Sequence, residues 1–69
     1  MGVKNRFLQI RLEKGYKFQQ DFAKFLGVSQ YQYNRYEMNV NQPSLESLLK
    51  ICGKDKLDMD PRELFYLDE

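Results

Sequence analysis

Four residues, Leu26–Gly27–Val28–Ser29, separate two segments with helical spacing, and this short link constrains the chain more than any other feature. Before it, Phe22, Ala23 and Leu26 fall on one helical face; after it, Tyr33 and Tyr36 do the same. Two helices joined by so few residues must cross steeply. Their close approach needs a small side chain, which Ala23 supplies. The turn needs a residue that tolerates positive φ, which Gly27 supplies. Ser29 offers its hydroxyl to an orphan backbone N–H at the start of the next helix, expected from Gln30 to about Met38. Phe22, Leu26, Val28, Tyr33 and Tyr36 are then the apolar anchors of the pair.

Helical spacing recurs elsewhere, and no alternating strand pattern survives beyond four or five positions. Phe7 and Ile10 mark a first helix that closes at Gly15. The stretch from Asn39 through Val40, Asn41 and Gln42 to Pro43 reads as a loop. Ser44 caps a fourth helix with an expected inner face of Leu45, Leu48, Leu49 and Cys52, stopped at Gly53. Asp60, Pro61 and Glu63 form a fifth start: a capping acid, a proline in the first turn, and an acid three residues after the cap. Leu64, Phe65 and Leu67 follow as its apolar part. The expectation is one domain over residues 1–69, an all-α compact bundle of five short helices.

Composition excludes several classes. A chain of 69 residues buries only roughly 60% of its unfolded surface, so its core is small and partners often add stability. With one cysteine and no histidine there is no internal disulfide, no Cys/His zinc site and no histidine acid–base chemistry. Cys52 reads as a small buried apolar residue. No nucleophile–base pair, carboxylate dyad or metal cluster is evident, so neither an enzyme nor a cofactor nor a small-molecule ligand is expected. No apolar run reaches a membrane span, and no signal peptide opens the chain, which makes the cytoplasm the expected address.

The net charge of +1 hides a polarity. Residues 1–43 carry seven basic and three acidic side chains; residues 44–69 carry four basic and seven acidic. Such a chain can turn a positive end toward a polyanion and its acidic end away. The third helix sharpens this. With Tyr33 and Tyr36 inward, Gln30, Tyr31, Asn34 and Arg35 form the outward stripe. Glutamine and asparagine amides match the donor–acceptor edge of adenine in the major groove, and arginine matches guanine. A solvated face would more often be Glu and Lys.

From Phe7 to Phe65 the chain resembles the phage-repressor and Cro-type (Xre-like) helix-turn-helix domains, whose fold is lambda-repressor-like. The resemblance rests on Ile10-Arg11 with Lys14-Gly15, the run Gln19 to Ser29, Asn34-Arg35-Tyr36-Glu37, Gln42-Pro43-Ser44-Leu45-Glu46, and Glu63-Leu64-Phe65. It implies base reading by Gln30, Tyr31 and Arg35, with Gln32 and Asn34 beside them for bases or phosphates. It implies phosphate contact by Gln19 and by the loop residues Asn39 and Asn41. Arg11 and Glu37 correspond to an internal salt bridge, with a phosphate contact as the lesser role for Arg11.

Three departures stand out. Lys17 and Phe18 replace the usual capping Thr or Ser, so the start of the second helix is open and Lys17 becomes a phosphate donor. Tyr33 stands where Ile or Val is usual, so its ring needs more room or its hydroxyl must reach the edge of the core. The link from Lys54 to Met59 is about two residues longer than the common pattern.

The resemblance implies a sequence-specific DNA-binding regulator, a repressor acting as a dimer on a pseudo-palindromic operator in double-stranded DNA. Two recognition helices would then lie about 34 Å apart. The C-terminal run from Leu64 to Leu67 either closes the core or forms the homodimer contact. The alternative is a helical protein-interaction module, an antitoxin or anti-repressor, which the low net charge favours slightly.

Overall fold

A computed structural model describes residues 2–68. In chain order they form β1 (Gly2–Asn5), α1 (Phe7–Glu13), α2 (Gln19–Leu26), α3 (Gln30–Glu37), α4 (Leu45–Ile51), α5 (Pro61–Leu64) and β2 (Phe65–Asp68). The five expected helices are present, and their starts follow local chemistry. Ser29 Oγ accepts from Gln32 N at 3.1 Å to cap α3, and Ser44 Oγ accepts from Ser47 N at 3.2 Å to cap α4. Asp60 accepts from Arg62 N at 2.8 Å ahead of Pro61 to cap α5. Helix α2 begins at Gln19, and its N-cap Phe18 provides no capping side chain.

The all-α expectation is corrected by a two-stranded antiparallel sheet. It pairs Val3 with Leu67 and Asn5 with Phe65. The reason is tertiary. Arg6 N donates to the Leu64 carbonyl at 2.8 Å, so the entry to α1 and the exit of α5 lie side by side and their flanking residues extend together. Each strand has only four residues, too few to carry a readable alternation. Helix α5 is accordingly one turn, and Phe65 and Leu67 sit on a strand rather than on its apolar face.

The core gathers Phe7, Ile10, Phe22, Ala23, Leu26, Tyr33, Tyr36, Ile51, Leu57 and Leu64. Phe7 meets the Tyr33 ring edge-on at 5.7 Å and stacks with Tyr36 at 5.8 Å, while Phe22 meets Tyr33 edge-on at 5.4 Å. These contacts anchor α3 to α1 and α2 through its two inward tyrosines.

The expected inner face of α4 is also corrected. Leu45 and Leu49 are 72% and 61% exposed, whereas Ile51 is buried with Leu48 and Cys52 half-buried beside it. The helix is rotated so that Leu48, Ile51 and Cys52, also at helical spacing, meet the core. The Lys54–Met59 link explains the rotation. It folds back so that Leu57 N donates to the Ile51 carbonyl at 3.0 Å and Leu57 fills the space beneath α4. Burial, together with the Asp60 charge, raises the Cys52 thiol pKa above its usual value.

Candidate nucleic-acid interface

The turn between α2 and α3 has the geometry that its sequence demands. Gly27 takes φ +81°. Its N–H and that of Val28 donate to the Lys24 and Ala23 carbonyls at 3.2 and 3.0 Å, closing the end of α2 in a Schellman arrangement. Ala23 is buried where the helices approach. The chain then re-enters a helix at once, held by the Ser29 cap.

That geometry turns α3 so that Tyr33 is fully buried while Tyr31 is 71% exposed. Gln30 and Asn34 are exposed, with Gln32 and Arg35 half-buried. The stripe Gln30, Tyr31, Asn34 and Arg35 therefore lies together on the outer side. The Gln30 side chain makes no hydrogen bond among the described residues. Asn34 Nδ2 donates to Gln19 Oε1 at 3.1 Å, which joins the stripe to the first residue of α2. Arg35 donates to the Tyr31 hydroxyl at 3.4 Å, its guanidinium 5.6 Å from the ring centre.

Beneath the stripe lies a network centred on Glu37, whose side chain is only 7% exposed. Arg11 Nε and Nη2 donate to its two oxygens at 2.9 and 3.3 Å, and Arg11 Nη1 donates to the Tyr16 and Lys17 carbonyls at 3.2 and 2.7 Å. The Tyr33 hydroxyl donates to Glu37 at 2.5 Å, and Gln19 Nε2 donates at 2.9 Å. Here is where the large Tyr33 finds its place: the ring is in the core and the hydroxyl emerges at the buried carboxylate.

The ionisations follow from these contacts. Burial pushes the Glu37 carboxyl up, but the Tyr33, Gln19 and Arg11 donors outweigh it and hold the group below its ordinary value. The hydrogen bond to Glu37 raises Arg11 against the opposing effect of burial. Burial, reinforced by the neighbouring carboxylate, pushes the Tyr33 phenol well above its usual value.

The other predicted contacts divide. Lys17 is exposed, its Nζ 5.6 Å from the Phe18 ring centre, and its carbonyl is occupied by Arg11. Gln19 is half-buried and already bonded on both sides of its amide. Asn39 takes φ +60° at the end of α3, and its Oδ1 accepts from Asn5 N at 2.9 Å and Gln42 Nε2 at 3.1 Å, turning that oxygen inward. Asn41 is exposed at the loop surface.

Asn5 was not legible as important, yet it is the buried polar residue that ties the ends of the domain to this region. Its Nδ2 donates to the Tyr36 carbonyl at 2.7 Å and to Gln42 Oε1 at 2.8 Å, and its Oδ1 accepts from Phe7 N at 3.1 Å. The signal available was an asparagine two residues before a helix start, a common local capping arrangement.

Residues 8–61 match the family model described as helix-turn-helix. No curated protein and no solved structure matches the chain.

Proposed function

The chain belongs to the Xre/Cro/lambda-repressor-type helix-turn-helix family, and from that footing we propose that it is a sequence-specific DNA-binding transcriptional regulator, a repressor. One observation carries the reading. Helix α3 is locked into the core by Tyr33 and Tyr36 while it displays Gln30, Tyr31, Asn34 and Arg35 outward. A rigidly held helix with an amide-, phenol- and guanidinium-bearing face is built to meet base edges in a major groove. Lys17, Gln19 and Gln32 flank it toward phosphates.

The proposed repressor acts as a dimer on a pseudo-palindromic operator, since a two-fold symmetric protein matches a two-fold symmetric site. The expected contact through a C-terminal helix would involve the one-turn α5 and the strand β2 that follows it. The surface that suits a second copy is an apolar groove of about 400 Å³, lined by Val3, Pro43, Leu48, Phe65 and Leu67. Exposed Leu45 and Leu49 lie on the same helix as Leu48. A regulator of this kind works in the cytoplasm, where its DNA lies. The same groove favours the second reading, an antitoxin or anti-repressor that docks protein.

Selection of bound sequences from random DNA, with mass measurement in solution, tests the proposal. The parent should enrich a two-fold symmetric site and bind it as a dimer. Replacing Gln30 and Arg35 by alanine should abolish preference among sequences while leaving the melting temperature nearly unchanged. Equal loss on random DNA, or no loss, removes the base-reading assignment.

A further inference from the structure

Arg35 is held at both ends. Its backbone carbonyl accepts from Val40 N at 3.0 Å and Asn41 N at 3.3 Å, while Asn39 N donates to the Tyr36 carbonyl at 3.0 Å. With Asn39 at φ +60°, this closes α3 in a Schellman arrangement and folds the following loop back along the helix end. The backbone donors of residues 39–41 are thereby all used inside the chain.

The loop then delivers the Asn41 side chain to the Arg35 side chain. In the amide orientation that satisfies both of its ends, Asn41 Oδ1 accepts from Arg35 Nε at 2.9 Å and Nδ2 donates to the Val40 carbonyl at 3.1 Å. On the other flank the Tyr31 hydroxyl accepts from Arg35 Nη1 at 3.4 Å, one turn earlier on α3. Both neighbours are exposed, so neither is there to fill the core.

A guanidinium has five N–H donors. With Nε–H on Asn41 and one Nη1 hydrogen on Tyr31, three remain, distributed over Nη1 and Nη2 at the outer end of the fork. Those are the hydrogens a bidentate contact with the O6 and N7 atoms of guanine requires. In the opposite amide orientation Asn41 Oδ1 lies 3.5 Å from Nη2, so the amide sits along the Nε–Nη2 side of the group and leaves the end between Nη1 and Nη2 without an amide partner.

We propose that Asn41 is a specificity-determining positioning residue, which orients the Arg35 guanidinium for a base and does not itself bind phosphate. The assignment rests on the DNA-reading function of α3. It distinguishes the two roles by what is lost: a phosphate contact supports every sequence alike, whereas positioning Arg35 supports discrimination at one base pair.

The test measures binding of the parent, Asn41→Ala, Arg35→Ala and the double variant to the selected site and to its single-base-pair variants, after the melting temperature has confirmed that each is folded. Asn41→Ala should lower preference several-fold at the base pair where Arg35→Ala loses it, and leave the other positions and random DNA unchanged. The double variant should be no worse than Arg35→Ala at that base pair, because the two act as one unit. A uniform loss with Asn41→Ala across all sequences, additive losses in the double variant, or no change overturns the assignment. A parent without sequence preference removes the regulator reading itself, a result separable from the failure of Asn41 alone.

Discussion

Replacing Glu37 by alanine removes an acceptor that takes four hydrogen bonds from three side chains. Arg11, with its side chain 9% exposed, then keeps its charge in a protein interior with no counter-charge in contact. Removing one partner of a buried ion pair costs about 3–5 kcal/mol. The lower end applies here, because Arg11 Nη1 retains the Tyr16 and Lys17 carbonyls. The Tyr33 hydroxyl also loses its acceptor, worth about 1–3 kcal/mol alone. The two losses share one carboxylate and do not simply add. The expected total is therefore about 3 kcal/mol. A domain of this length has about 3–10 kcal/mol of stability to lose, and at roughly 4–8 °C per kcal/mol the melting temperature should fall by roughly 12–24 °C. Thermal and urea unfolding followed by circular dichroism measure it. A loss under about 1 kcal/mol would show that Glu37 is not the centre of the network, and the reasoning fails.

The same group sets a pH dependence. Glu37 is held below its ordinary value when folded, so its contribution is full above the unfolded value of about 4.3 and disappears as pH falls through the lower folded value; urea midpoints across that range should drop for the parent and flatten for Glu37→Gln. Tyr33 is raised, so its contribution is full below the unfolded value of about 10 and is lost as pH rises beyond it. Gly27→Ala should cost about 1–2 kcal/mol from the left-handed backbone alone. A Cβ there meets only Lys56 Nζ, at 3.9 Å, so a much larger loss in urea unfolding would point to a clash that the structure does not contain.

Legibility in the sequence tracked how local the determining physics was. Gly27, Ser29, Ser44 and Asp60 act on the next few residues, and their turn and caps stand where their chemistry places them. The sides of α3 were also readable, since its tyrosine spacing opposes its amide stripe. The face of α4 was not. Leu45, Leu48, Leu49 and Cys52 fit a helical stripe as well as Leu48, Ile51 and Cys52 do, and the choice depends on Leu57 arriving from a non-repeating link. The sheet depended on the two ends of the chain meeting at the hydrogen bond between Arg6 and Leu64. Asn39 and Asn41 read alike, as loop residues expected to meet phosphate, and only the fold separates one amide oxygen turned toward Asn5 from another turned toward Arg35.

The position of Glu37 also bears on how a weakly charged domain would grip DNA. A side-chain amide has two N–H donors and an acceptor oxygen. In Gln19 one donor reaches Glu37 and the oxygen accepts from Asn34, which fixes the amide's orientation and leaves its second hydrogen for a phosphate in the proposed complex. The core thus reaches the interface by a continuous chain, from Arg11 and Tyr33 through Glu37 and Gln19 to Asn34. Its two charged members, Arg11 and Glu37, are buried against each other, and the two that reach the surface, Gln19 and Asn34, are neutral and supply little of the non-specific attraction that Lys and Arg provide. Affinity in such a site has to come from preorganised geometry rather than from charge. That agrees with a net charge of only +1, and it makes Glu37, buried behind α3, the residue on which both the fold and the orientation of the Gln19 amide depend.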